Sequence, residues 1–158
     1  MPGVYVFPSE SKRNIMMGIK AGKWAVPMQK SKASVIGKAR SMVVGDPVLL
    51  YLNGEKDLYG LFRVTETPDR NRVVSDLWDG KYELPFGIEL SVEQERVAIL
   101  HAPRLMKVLP SLRQATGAWS VHFQKFRGMT IFQQQPLSEE DMTALRTKFL
   151  ELSRKPQG

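Results

Sequence analysis

The residues of this chain best equipped for chemistry are aromatics and cations, and they occur side by side. The three tryptophans are Trp24, Trp78 and Trp119. Trp24 follows Gly22, a helix-ending glycine, and precedes Val26-Pro27. Trp78 stands in a polar loop, Ser75-Asp76-Leu77-Trp78-Asp79-Gly80-Lys81, where little in the local sequence makes an indole part of a core. A loop Trp with polar neighbours is the kind of side chain on which an unpaired base stacks; the competing reading is a loop that folds back and buries it. Trp119, before Ser120-Val121-His122-Phe123, reads as core packing, since aromatics supply much of a small core. Lys20, Lys23 and Lys30 surround Trp24, while Arg70, Arg72 and Lys81 flank Trp78. Rings to hold a base and cations to hold phosphates are the two ingredients of single-strand recognition. An ordinary solvated basic surface is the alternative.

The residues that are scarce exclude most catalytic chemistry. With Cys 0 and His 2 in the composition, thiolate metal sites, Cys nucleophiles and His-based triads have no material to work with. No phosphate-binding glycine motif is present. Asp46, Asp76 and Asp79 read as turn formers, and His122 reads as a structural histidine on an apolar strand. No catalytic residue, metal ligand or cofactor is therefore expected. The 158 residues carry 23 Lys+Arg against 16 Asp+Glu, a formal charge of +7, which points to a polyanionic partner. The length suits a single domain, and 42% hydrophobic with 25% charged residues is ordinary for a globular protein. No apolar run approaches the ~20 residues of a membrane helix, and the N-terminus lacks a signal-peptide pattern. A soluble, cytoplasmic chain without membrane partners is the expectation.

The elements that must position these residues follow from periodicity and punctuation. Val4 to Phe7 is a strand stopped by Pro8. Ser9 to Gly22 is a helix capped by Ser9 or Ser11, with Ile15, Met16 and Ile19 on its inner face. Lys23 to Pro27 is extended, and Ser31 to Met42 is a second helix. After a turn at Gly45-Asp46-Pro47 come strands at 48–52, 58–65, 82–90 and 97–100, with Pro85 marking an edge or a bulge. A short helix at 105–112, strands at 119–123 and 129–133, and a helix from Ser138 to about Leu152 complete the chain. This is an α+β pattern. About six strands and three to four helices favour a small, partly open β-barrel with helices packed around it.

Three segments resemble the PUA-like superfamily, in particular its EVE and YTH domains, over nearly the whole chain from Val4 to Leu152. The first runs from Ser9-Glu10-Ser11-Lys12-Arg13-Asn14-Ile15 to Gly22-Lys23-Trp24, and is similar to the YTH segment leading to its first cage Trp. The second, Leu77-Trp78-Asp79-Gly80-Lys81-Tyr82, resembles the stretch supplying another cage wall. The third combines Trp24-x-Val26-Pro27, Gly45-Asp46-x-Val48 and Trp119-Ser120-x-His122-Phe123, and looks more like archaeal EVE-type proteins.

The resemblance implies one EVE/YTH-like domain over residues 1–153, with 154–158 a polar tail or linker start. It also implies a binding module that reads a methylated base, N6-methyladenine foremost, in DNA or RNA. By position Trp24 and Trp78 are the cage walls, and Asn14 matches the Asn that reaches the adenine edge. Ser9 belongs to the same base-binding group. Glu10 departs from the Asn found there in some YTH domains, and Ala25 stands where a backbone carbonyl accepts the N6–H bond. Lys23, Lys81, Lys125 and Arg127 are the implied phosphate contacts. A 5-methylcytosine reader fused to or partnered with restriction subunits is one alternative. An ASCH-type RNA- or nucleotide-processing enzyme and a generic basic nucleic-acid binder are the others.

Overall fold

The computed structural model describes residues 5–27, 42–52, 54–69, 72–75, 77–78, 82–101, 104 and 139–154. In chain order the elements are β1 (Tyr5–Ser9), α1 (Lys12–Ala21), β2 (Lys23–Pro27), β3 (Pro47–Leu52), β4 (Asp57–Glu66), β5 (Val73–Val74), β6 (Tyr82–Leu90), β7 (Ala98–His101) and α2 (Glu139–Arg154). The seven strands form one mixed sheet along the path β1-β3-β4-β6-β2, with β5 on β6 and β7 on β4. Among the described residues β1 and β2 stand at the ends of this open path. Two helices occur among the described residues rather than three to four. The expected helix at 105–112, the strands at 119–123 and 129–133, and all of the helix at 31–42 except Met42 fall outside those residues. Met42 is described, non-helical and buried.

Helix α1 is bounded by the residues that the sequence nominates. Ser11 is extended and its Oγ accepts from the Asn14 N–H at 3.2 Å. Gly22 closes the helix at φ 68°, a left-handed conformation that costs glycine little. Ser9 acts one step earlier: its Oγ accepts from the Ser11 N–H at 3.1 Å and holds the cap in place. The inner face is Ile15 and Gly18, with Ile19 partly buried, while Met16 is 49% exposed rather than inward.

Strand β3 is buried at every position, as its unbroken apolar sequence requires. It is covered on one edge by β1, which runs parallel to it with Phe7 opposite Leu50. Pro8 lies inside β1 instead of ending it, because an end strand tolerates a missing N–H. Strand β4 is shared. Residues Asp57 to Gly60 pair with β7, and Phe62 to Glu66 pair with β6. Leu61 falls in the gap, and the Gln94 side chain closes it. Gln94 Oε1 accepts from the Leu61 N–H at 2.8 Å, and its Nε2 donates to the Gly60 carbonyl at 2.9 Å. The Leu61 carbonyl takes the Ser91 N–H at 2.8 Å. Helix α2 begins with Glu139, Glu140 and Asp141, which suit the positive end of the helix dipole, and buries Leu145 and Phe149. It packs on β7 and β4.

Two outcomes follow. Replacing Gln94 by Ala leaves buried backbone groups of β4 without partners, so urea denaturation is expected to show a loss of about 1–3 kcal/mol with an unchanged slope. Burial, and after it the Asp57 carboxylate, raises the pKa of both Tyr51 and Tyr59 above 10.0. The fold therefore favours the neutral phenols, and their contribution is complete below the unfolded value of about 10 and is lost as pH rises through the raised folded values. The urea midpoint should fall above about pH 10, and Tyr59→Phe should blunt that fall.

Candidate nucleic-acid interface

Helix α1, strand β2 and the segment before β6 meet in an aromatic cluster. Strand β2 pairs antiparallel with β6, placing Trp24 opposite Phe86. The pairing slips between Trp24 and Val26, and the residues of β6 passed over are Leu84 and Pro85. This is the bulge for which Pro85 is a sequence signal, and Leu84 takes φ 56° within it. Trp24 then lies against α1 at Gly18. A Cβ on Gly18 would come within 2.7 Å of the Trp24 ring and 2.9 Å of the Lys23 carbonyl. The glycine in mid-helix is a seat for the indole.

Trp78 completes the cluster. Its ring centroid is 5.4 Å from that of Trp24 with an interplanar angle of 68°, an edge-to-face contact. It also lies 5.0 Å from Tyr82. Its Nε1–H donates to the Asn14 carbonyl at 2.9 Å, so the α1 backbone fixes the indole. The loop thus folds back, and both tryptophans are 5% exposed where open stacking walls were expected. The reason is tertiary: each ring finds an aromatic partner on another element, and the one polar atom of Trp78 finds a carbonyl of α1. Two rings that sandwich a base must stand roughly 7 Å apart, twice the ~3.4 Å stacking rise. At 5.4 Å and 68° the pair is closed.

The other sequence candidates sort by position. The Asn14 side chain has no hydrogen bond among the described residues. It rises from the first turn of α1, beside the carbonyl that holds Trp78. Ser9 is committed to the Ser11 cap, Glu10 is exposed, and Ala25 is 2% exposed within β2. Lys23 is half-buried at the start of β2. Lys81, Lys125 and Arg127 lie outside the described residues. Sequence reasoning missed Gly18 and Tyr82. A glycine inside a helical pattern, which costs ~1 kcal/mol against alanine, was the available signal for the first.

Gly18→Ala tests the seat. Steric conflict with Trp24 outweighs the gain in helix propensity, so a net loss of about 1–2 kcal/mol is expected in urea denaturation, with a red shift of tryptophan emission. Unchanged emission would place the indole elsewhere.

No protein-family model matches the sequence, and no curated protein matches it. Solved structures do share its fold. The Pho92 YTH domain in complex with m6A superposes with a TM-score of 0.59 at 14% identity, covering 94% of this chain and 83% of that one. The Mmi1 YTH domain in complex with RNA gives 0.56 at 9% identity, over 94% and 78%. Rpa0253 from Rhodopseudomonas palustris gives 0.57 at 16% identity, over 97% and 96%. At such identities the likeness is one of fold, and the fold of this chain is YTH-like.

Proposed function

We propose that the chain reads N6-methyladenine in single-stranded nucleic acid, with the base entering between Trp24 and Trp78. The observation that carries this reading is the cluster itself. Two indoles and a tyrosine ring are gathered beside Asn14 at the N-terminal turn of α1, on a YTH-like fold with a formal charge of +7. RNA is the favoured strand, because domains of this fold are described in complex with m6A and with RNA. Glu10, the acidic candidate of the enzyme alternative, is exposed. A binding module is the favoured reading, because domains of this fold are described in complex with m6A and with RNA.

The closed pair has to open, and magnitudes decide whether it can. Parting the Trp24–Trp78 and Trp78–Tyr82 contacts costs ~0.5–1.5 kcal/mol each. Releasing the Trp78 hydrogen bond costs ~1 kcal/mol net. Stacking a base contributes ~1–3 kcal/mol per ring, and burying the methyl group adds ~0.8 kcal/mol. Two stacking faces return ~2–6 kcal/mol against ~2–4 kcal/mol for opening, so the two are comparable and the methyl tips the balance by about fourfold. Asn14 supplies a donor and an acceptor for the adenine edge, which the rings cannot discriminate.

The test is binding of short strands, RNA and DNA, carrying adenine, N6-methyladenine, cytosine or 5-methylcytosine at one central site and fixed salt. The expected result is at least about fourfold tighter binding of the N6-methyladenine RNA than its unmodified counterpart. Trp78→Leu, which stays apolar but loses the ring, should abolish that difference while circular dichroism remains native. Equal affinity for all strands, falling steeply with salt, would leave a generic basic binder in its place.

A further inference from the structure

A second recess lies beside the tryptophan pair. Lys23 of β2 and Glu66 of β4 both pair with Gly87, from opposite sides of β6. A Cβ on Gly87 would run into Thr65 Oγ1 and crowd the Glu66 backbone, so glycine lets the irregular end of β4 close over β6. The chain leaving β4 is then tied back, with the Asp69 N–H donating to the Pro85 carbonyl at 3.1 Å. Together these segments line an open pocket of about 300 Å³, with Lys23, Arg72, Glu66, Asp69, Pro68 and Pro85 around it and Glu66, Asp69 and Arg72 exposed to solvent.

Charges of both signs face this one space. Lys23, Arg72 and Glu66 make no ion pair among the described residues, although all three line the pocket. Opposite charges around one pocket suit a ligand with an anion at one end and hydrogen-bond donors at the other. The prolines add flat apolar surface. The volume lies at the small end of the ~300–1,000 Å³ range of ligand sites, enough for one nucleotide. Position narrows the choice further. Adjacent residues of a strand project to opposite faces, and β2 stands at one end of the sheet path among the described residues. A nucleic-acid strand rounding that edge would meet Trp24 on one side and Lys23 on the other.

We propose that this pocket holds the nucleotide next to the methylated one, an assignment that rests on the reading of the Trp24–Trp78 pair. The phosphate lies on Lys23 and Arg72, the base lies against the prolines, and its exocyclic amine meets the Glu66 carboxylate. Cytosine, with its N4 amine, then suits the pocket better than uracil, which offers a carbonyl at that position.

The experiment titrates wild type and Glu66→Gln with short RNAs carrying a central adenine or N6-methyladenine, with cytidine or uridine on each flank in turn. On one flank, wild type should prefer cytidine by about fivefold or more, the low end of one base-edge contact. Glu66→Gln, whose amide can meet either base, should lose that preference. Arg72→Gln should weaken binding of every RNA and lower the salt slope by about one phosphate. No difference between cytidine and uridine on either flank, or the same preference in Glu66→Gln, would overturn the pocket assignment while leaving the methyl preference standing. Equal binding of adenine and N6-methyladenine by wild type would instead overturn the reading of the tryptophan pair.

Discussion

The contact between the Trp24 and Trp78 rings, 5.4 Å apart and edge to face, organises this end of the molecule. Each ring is held from behind by a different device. Trp24 sits on a strand and presses into the bare backbone at Gly18. Trp78 arrives on a loop and is fixed by one hydrogen bond to the Asn14 carbonyl and by the Tyr82 ring. The two are therefore unequal. Moving Trp24 would disturb β2 and α1 together, whereas moving Trp78 requires only that a loop exchange one hydrogen bond and two ring contacts. On the proposed reading, Trp78 is the ring that moves.

Strand β6 links this pair to the rest of the sheet. It takes β2 on one side, and β4 and β5 elsewhere along its length, which a strand containing Pro85 and Gly87 does by means of two irregularities. The bulge at Leu84 and Pro85 lets Trp24 and Pro27 both keep register with β6. The glycine at 87 accepts the closing end of β4. Residues that would weaken an ordinary strand thus shape both features, the closed aromatic cluster and the charged pocket beside it.

Much of this was legible in the sequence, and the gaps have physical causes. Ser11 and Gly22 announced the ends of α1, and the apolar run at 48–52 announced β3, because caps and hydrophobic runs are local signals. Pro85 announced an edge or a bulge, and the pairing with β2 slips there. The inner face of α1 was misjudged at Met16, since the helix turns toward Trp24, and only tertiary structure says so. Trp78 was the harder case. Its polar neighbours argued for exposure, yet its ring is 5% exposed because Tyr82, Trp24 and the Asn14 carbonyl converge on it from three elements. The charged pocket was invisible for the same reason: Lys23 is distant in sequence from Glu66 and Arg72, and Lys23 and Glu66 are brought together where both pair with Gly87.

The most direct measurement is the indole N–H spectrum of nitrogen-labelled protein titrated with N6-methyladenosine and, separately, with adenosine, with Trp24→Phe and Trp78→Phe assigning the signals. In the free protein the Trp78 Nε1–H should exchange slowly with water, as its bond to the Asn14 carbonyl requires. The methylated nucleoside should shift both assigned indole signals saturably and speed exchange at Trp78, with adenosine doing so only at higher concentration. Indole signals that ignore N6-methyladenosine, or respond equally to both nucleosides, would contradict a base-reading role for the pair.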